Sequence, residues 1–199
     1  MAESAGRAEA AVARGYRGPS GWKTLSLIVA IGLMALGGAQ AKVFLTVDEA
    51  LRLAFPGATV ERRTSYLTEA QRERANELAG VAVGSRLVHA YVATAGGKGV
   101  GTAFFDTHRV RTLPETVMVV LDPSGKVRRV EVLSFNEPQD YLPGGAWYGQ
   151  FAGRGLDERL ALKRDIRPLT GATLTARATT AAVRRVLAVH RVLQEGAVR

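Results

Sequence analysis

Hydroxyl-bearing residues and a glycine lie together just ahead of the last predicted helix of this 199-residue chain. The stretch reads Thr170-Gly171-Ala172-Thr173-Leu174-Thr175. The first N–H groups of a helix have no intrahelical acceptor and carry a partial positive charge, so they suit a phosphate group. The threonine hydroxyls supply further hydrogen bonds and oxygens that can be esterified to that phosphate. An ordinary capped helix is the alternative explanation of the same residues.

The helix itself is predicted from the spacing of its apolar residues. They recur three and four positions apart, while most of the arginines fall off the stripe. The stripe consists of Ala182, Val183, Val186, Val189 and Leu193. Pro168 disfavours helix ahead of the loop, and Gly196 predicts a stop just after Gln194.

The rest of the chain alternates between helical and strand-like periods. The spacing predicts helices over 46–55 and 68–78, strands over 60–66, 87–94, 100–105, 115–121 and 126–135, and a helix or turn over 156–164. The glycines of 96–99 predict a hairpin turn and not a dinucleotide loop, because a strand follows them. Hairpin-linked strands flanked by helices predict an α+β fold with a small antiparallel sheet.

An aromatic and glycine-rich segment follows the last predicted strand, over residues 135–154. It contains Trp147, Tyr148 and Phe151 together with Glu137. One interpretation is an irregular loop packed by its own aromatic rings. The other is a wall for a flat, apolar ligand, which aromatic side chains and a few polar groups suit.

The N-terminal region predicts export from the cytoplasm. Basic residues precede an uncharged apolar run from Thr24 to Gly38, and Ala39-Gln40-Ala41 follows it. This pattern is typical of a signal peptide, and an uncleaved membrane anchor is the alternative. We therefore predict two parts, a signal peptide or anchor over 1–41 and a domain over 42–199, with the domain on the extracytoplasmic (periplasmic) side.

Composition excludes several classes of function. The chain has no cysteine and only three histidines, so disulfides, iron–sulfur ligation and a zinc site are not expected. The net charge is +9, but the basic residues are scattered and are not interleaved with aromatics, which argues against nucleic acid. Most are expected to be solvated, and docking on acidic redox partners or anionic lipids is the alternative.

The loop resembles the attachment signature of the FMN-binding domain family, which includes flavin subunits of the Rnf complex and of the sodium-pumping NADH:quinone oxidoreductase. The signature is carried by 170–173 with the Leu174-Thr175 pair, and the resemblance extends over about 44–193. It implies FMN joined through a phosphoester to Thr173, with Gly171 and Ala172 admitting the phosphate. It further implies that Thr170 and Thr175 donate hydrogen bonds to the phosphate and that Glu137 lies near the isoalloxazine ring.

The resemblance also implies a role and partners. The protein would be an exported electron carrier serving membrane or periplasmic electron-transfer proteins, haem proteins among them, and an FAD-dependent flavin transferase would install the cofactor. The family usually has Asp six residues before the acceptor, where this chain has Arg167, with Asp165 two residues earlier. Alternatives are FMN held without a covalent link, a structural or docking subunit without flavin, or a flavin-dependent reductase.

Overall fold

A computed structural model of the protein describes residues 42–197. The predicted N-terminal apolar segment and the boundary at residue 41 lie outside the described residues. Among the described helices, none combines the length and the apolar character needed to cross a membrane.

The described part is an α+β fold, as the sequence predicts. The strands are β1 (Lys42–Val43), β2 (Thr59–Tyr66), β3 (Leu87–Ala95), β4 (Lys98–Arg109), β5 (Pro114–Leu121) and β6 (Val127–Phe135). The helices are α1 (Val47–Ala54), α2 (Glu69–Ala79), α3 (Gly145–Tyr148) and α4 (Thr173–Ala197). The strands form one antiparallel sheet in the order β1-β6-β5-β4-β3-β2.

The central strand β5 is buried on both faces of the sheet. Val117 and Val119 point towards α4, and Met118 and Val120 point towards α1, because successive side chains of a strand alternate between the two faces. Apolar residues of α4 and α1 complete the two cores. The sheet therefore carries a long helix on one face and a short helix on the other.

The two N-terminal helices begin where the sequence predicts. Thr46 and Glu49 form a capping box at the start of α1, and Thr68 and Gln71 form one at the start of α2. The β3–β4 hairpin turns at Gly96-Gly97, both with positive φ, as a type I′ turn requires. Gly101 is needed for a different reason, since a Cβ there would lie 2.6 Å from the carbonyl oxygen of Leu121.

The structure adds detail to three predicted segments. Residues 156–164 form turns, which was one of the two predicted alternatives, with an isolated bridge between Leu162 and Ile166. Residues 135–154 contain two 3-10 turns and the short α3. The prediction that Gly196 ends the last helix is wrong, because α4 continues to Ala197. The end of α4 packs closely on α2, where Gly196 leaves room for Gln71, and a helical glycine costs only about 1 kcal/mol.

Candidate functional site

A cavity of about 170 Å³ lies where the start of α4 meets the β4–β5 loop. The attachment loop supplies one wall through Gly171–Thr175, and the other walls come from Val110, Arg111, Glu137 and Tyr141. Six of the seven predicted site residues thus meet at one place, Thr170 being the exception. Arg111 was not among the predicted site residues, since nothing in its local sequence pattern distinguishes it from the other arginines.

Thr173 is the first residue of α4, and it is exposed. Its hydroxyl donates to the carbonyl oxygen of Leu169 at 3.1 Å, which holds the side chain over the loop. That bond uses the hydroxyl proton and leaves the oxygen lone pairs free. Thr173 therefore presents an oriented, accessible oxygen at the mouth of the cavity.

Backbone N–H groups converge beside that oxygen. The first α-helical hydrogen bond at this end runs from the N–H of Ala176 to the carbonyl of Ala172. The N–H groups of Thr173, Leu174 and Thr175 consequently have no acceptor among residues 42–197. Such a helix end favours an anion by both hydrogen bonding and dipole.

Gly171 shapes the approach to these donors. Its φ is +85°, a conformation that costs other residues strain, and a Cβ at this position would meet nothing within 4 Å. The space beside it is therefore open to a ligand. Together with the free N–H groups, it fits the phosphate end of FMN.

The two other threonines of the loop have different positions. Thr170 is exposed and does not line the cavity. Thr175 lines it, but its side chain is buried and its hydroxyl donates to the carbonyl oxygen of Tyr141 at 2.6 Å. The hydroxyl proton of Thr175 is thus already engaged, which argues against the predicted hydrogen bond from Thr175 to a phosphate.

Glu137 holds the opposite wall in place. Its Oε1 accepts hydrogen bonds from the backbone N–H groups of Arg111, Thr112 and Leu113, at 3.2, 2.6 and 2.8 Å. The hydrogen bond from the Leu113 N–H has the largest effect on the pKa of Glu137, and those from Thr112 and Arg111 act in the same direction. Together these bonds outweigh burial, which raises the pKa, so the pKa of Glu137 lies below its ordinary value. Glu137 is therefore a carboxylate that fixes the β4–β5 loop while lining the cavity.

The aromatic segment is mostly core and not ligand wall. Trp147, Tyr148 and Phe151 are buried with exposed fractions of 8% or less, and the Trp147 ring meets the other two edge to face. The interpretation of a loop packed by its own aromatics is the one that this geometry supports. Only Tyr141 of the aromatic residues in this segment lines the cavity.

The same segment orients the chain that leads into the attachment loop. The indole N–H of Trp147 donates to the carbonyl of Arg167 at 2.8 Å, and the N–H of Arg167 donates to Gln150 at 2.8 Å. Arg167 is exposed, and its guanidinium has no ion pair within the described part of the chain.

Asp165, the proposed substitute for the family Asp, is engaged elsewhere. Arg154 and Arg159 each pair with one of its carboxylate oxygens, the Arg159 contact being 2.9 Å, and the Asp165 side chain is only 14% exposed. Two guanidiniums therefore already orient this carboxylate and balance its charge. The geometry therefore argues against Asp165 taking the place of the family residue.

A buried polar network, whose members do not line this cavity, was not predicted. Glu115 is fully buried at the start of β5, and its carboxylate accepts from Thr179 of α4 at 3.1 Å and from Tyr148 at 3.4 Å. His108 bridges Glu115 and Asp106, at 2.9 Å on either side of its ring. Two hydrogen bonds from Arg185 to Asp106, of 2.9 and 2.7 Å, close the network.

The network contains two basic and two acidic side chains, none of them more than 18% exposed. Burial lowers the pKa of His108, but the hydrogen bonds with Asp106 and Glu115 outweigh it and raise that pKa above its ordinary value. Burial raises the pKa of Asp106, but His108 and Arg185 bring it down to about 2. Burial raises the pKa of Tyr148, and the charge of the neighbouring Glu115 carboxylate and its hydrogen bond raise it further. The groups thus stabilise one another's charges, which is what buried charges require.

Acid is expected to weaken the protein through Asp106. Because its pKa falls from 3.8 unfolded to about 2 folded, it contributes about 2 kcal/mol of stability above pH 4 that is lost as the pH falls through 2. The raised pKa of His108 acts in the other direction, giving stability below pH 6.5 that is lost as the pH rises through the folded value. Urea unfolding of the wild type and Asp106→Asn between pH 5 and pH 2 measures the first effect. Parallel stability profiles for the two proteins would contradict it.

The comparisons with known proteins bear on this site. Residues 113–188 match the family model described as the FMN-binding domain, a range that holds β5, β6, Glu137, the attachment loop and most of α4. The protein thus contains a flavin-binding α+β domain. This part of the chain belongs to the FMN-binding domain family, which confirms the resemblance at the family level. No curated protein and no solved structure was found to match the chain.

Proposed function

We propose that this protein is an exported electron carrier whose FMN is joined through a phosphoester to Oγ1 of Thr173. The observation that carries the proposal is the exposed, oriented hydroxyl of Thr173 beside three free N–H groups, within the segment that matches the family. FMN supplies one- and two-electron chemistry, and the protein supplies attachment, orientation and an environment that sets the potential.

The attachment step balances with FAD as the flavin donor. The Thr173 oxygen bonds to the phosphorus of the FMN half, the pyrophosphate bond breaks, AMP leaves, and the hydroxyl proton passes to solvent. The N–H groups of Thr173, Leu174 and Thr175 stabilise the phosphate oxygens at the product stage. A separate flavin transferase activates the FAD.

The cavity encloses only part of such a cofactor. At about 170 Å³ it is smaller than the 300–1,000 Å³ of pockets that bury most of a small ligand. Part of the flavin therefore stays at the surface beside Tyr141 and Leu174. This suits a carrier that exchanges electrons with other proteins better than an enzyme that encloses a substrate.

Loss of the Thr173 hydroxyl is expected to abolish flavin retained after denaturation. The chain is expressed with a flavin transferase, denatured and inspected for flavin fluorescence in the protein band and for the mass of the FMN adduct. We expect a positive band for wild type and Thr173→Ser and none for Thr173→Ala. Thr170→Ala serves as the matched control, because it removes a neighbouring hydroxyl outside the cavity. Fluorescence kept by Thr173→Ala would remove this residue from the role.

A second candidate is a docking subunit of a membrane redox complex that holds no covalent flavin. It is favoured by Arg167 standing where the family has Asp and by the two arginines that engage Asp165. The variant Arg167→Asp separates the two candidates. If flavin fluorescence is retained after denaturation by this variant and not by the wild type, the natural chain has lost recognition by the transferase. The N-terminal segment is proposed to export or anchor either form.

A further inference from the structure

We propose that the surface around the flavin cavity docks an acidic face of an electron-transfer protein. We call this surface the arginine rim, and its members are Arg109, Arg111, Arg167, Arg177, Tyr141 and Leu174. The inference rests on the proposed function, since it concerns how electrons leave or reach the FMN.

The four arginines lie on the segments that build the cavity. Arg111 lines it directly. Arg109 is the last residue of β4, and its guanidinium donates to the carbonyl of Thr112 in the following loop at 2.7 Å. Arg177 lies one turn after Thr173 on α4, and residues four apart on a helix share a face. The backbone of Arg167 is held by Trp147 and Gln150 just ahead of the attachment loop, and the residue is exposed.

These cations have no acidic partner among the described residues, although many other arginines of the protein do. Arg154, Arg159 and Arg185 are all paired with carboxylates. At the rim, Glu137 already accepts hydrogen bonds from backbone N–H groups, and a second acid, Asp140, adjoins Tyr141 in the chain. The four guanidiniums outnumber these two carboxylates and the single charge of a phosphodiester. The surface is thus positive with the cofactor attached.

Two exposed apolar side chains lie within this positive surface. Leu174 is 46% exposed and Tyr141 is 37% exposed, and both line the cavity. An apolar centre with a charged periphery is the usual anatomy of a protein interface, and charge complementarity steers the partners into it. The occupant that we propose is a protein, because a carrier must bring the exposed part of its flavin against an electron donor or acceptor, and a lipid surface seated here would cover that part without exchanging electrons.

Charged oxidants test the rim without knowledge of the natural partner. The flavin-loaded full chain is photoreduced, and its oxidation is followed in a stopped-flow instrument with ferricyanide, an anion, and hexaammineruthenium(III), a cation. Each oxidant ion takes one electron, and the flavin protons pass to solvent. For wild type, the ferricyanide rate is expected to fall about tenfold between low and about 200 mM salt, and the ruthenium rate to rise.

The rim variant is Arg167→Glu with Arg177→Glu, which leaves the cavity-lining residues intact. We expect it to reverse both salt dependences. The control is Arg52→Glu with Arg62→Glu, which makes the same change in net charge at a separate cavity lined by α1 and β2. The control is expected to behave like wild type. Equal effects in the two variants would assign the salt dependence to net charge and overturn the proposal.

Polyglutamate and phosphatidylglycerol vesicles identify the class of partner. Polyglutamate is expected to slow ferricyanide oxidation of the wild type at least severalfold and to leave the rim variant unaffected. Slowing by the vesicles, with no effect of polyglutamate, would overturn the proposal in favour of a lipid surface. Absence of flavin from every protein would instead count against the proposed function, so the two failures are distinguishable.

Discussion

Glu115→Ala is expected to lower the free energy of unfolding by about 3–5 kcal/mol, which is the range for removing one partner of a buried ion pair. Glu115 is fully buried and serves three elements at once, β4 through His108, α3 through Tyr148 and α4 through Thr179. Its loss leaves the buried His108 ring and two hydroxyl groups without their acceptor. Equilibrium urea unfolding monitored by the fluorescence of the buried Trp147 measures the change.

Two control variants separate charge from general damage. Glu115→Gln keeps the size and an accepting oxygen but removes the charge, so its loss is expected to be smaller, about 1–3 kcal/mol. Glu61→Ala removes a carboxylate that is 65% exposed in an ion pair with Arg63, and such surface pairs contribute at most about 1 kcal/mol. A loss below that level for Glu115→Ala would show that the network does not hold the three elements together.

Phe151→Ala is expected to cost about 3–5 kcal/mol, the range for emptying the space of a buried aromatic ring. Phe151 has no exposed surface, belongs to the main core with Val127 and Ile166, and lies against Trp147 with ring centres 5.4 Å apart. Because Trp147 in turn holds Arg167 ahead of the attachment loop, the yield of covalent flavin should fall with stability.

Phe151→Leu is the matched control for this prediction. It keeps an apolar side chain of comparable size in the same space, so its cost is expected to stay under about 1.5 kcal/mol. The flavin yield of this variant should remain near that of the wild type. Equal stability losses for the two variants, or an unchanged flavin yield in Phe151→Ala, would contradict the stated link between the aromatic core and the loop.

Features set by neighbouring residues were predictable from the sequence. The Thr46/Glu49 box and the glycine turn at 96–97 involve residues within three positions, so local preferences decide them. Thr173 was located by its position between a glycine loop and a periodic helix. The stop at Gly196 was mispredicted because the helix end is stabilised by α2, which is distant in sequence.

The roles of the polar groups in the buried network and at the cavity were decided by contacts between distant segments. Asp106 meets Arg185 across 79 positions, and Glu115 meets Thr179 across 64. Glu137 was singled out for a flavin, and only the fold shows that its carboxylate binds the backbone of the β4–β5 loop, 24 to 26 positions away.

The sequence by itself determined the elements, the antiparallel arrangement and the hydroxyl at the helix start, since each depends on spacing over a few residues. The tertiary structure alone decided which side chains are free. Thr173 keeps an accessible oxygen, whereas the hydroxyl of Thr175 is bonded to Tyr141 and the carboxylate of Asp165 to two arginines. The physical reason is that a polar side chain removed from water must find a partner, and the folded chain determines which partner lies within reach.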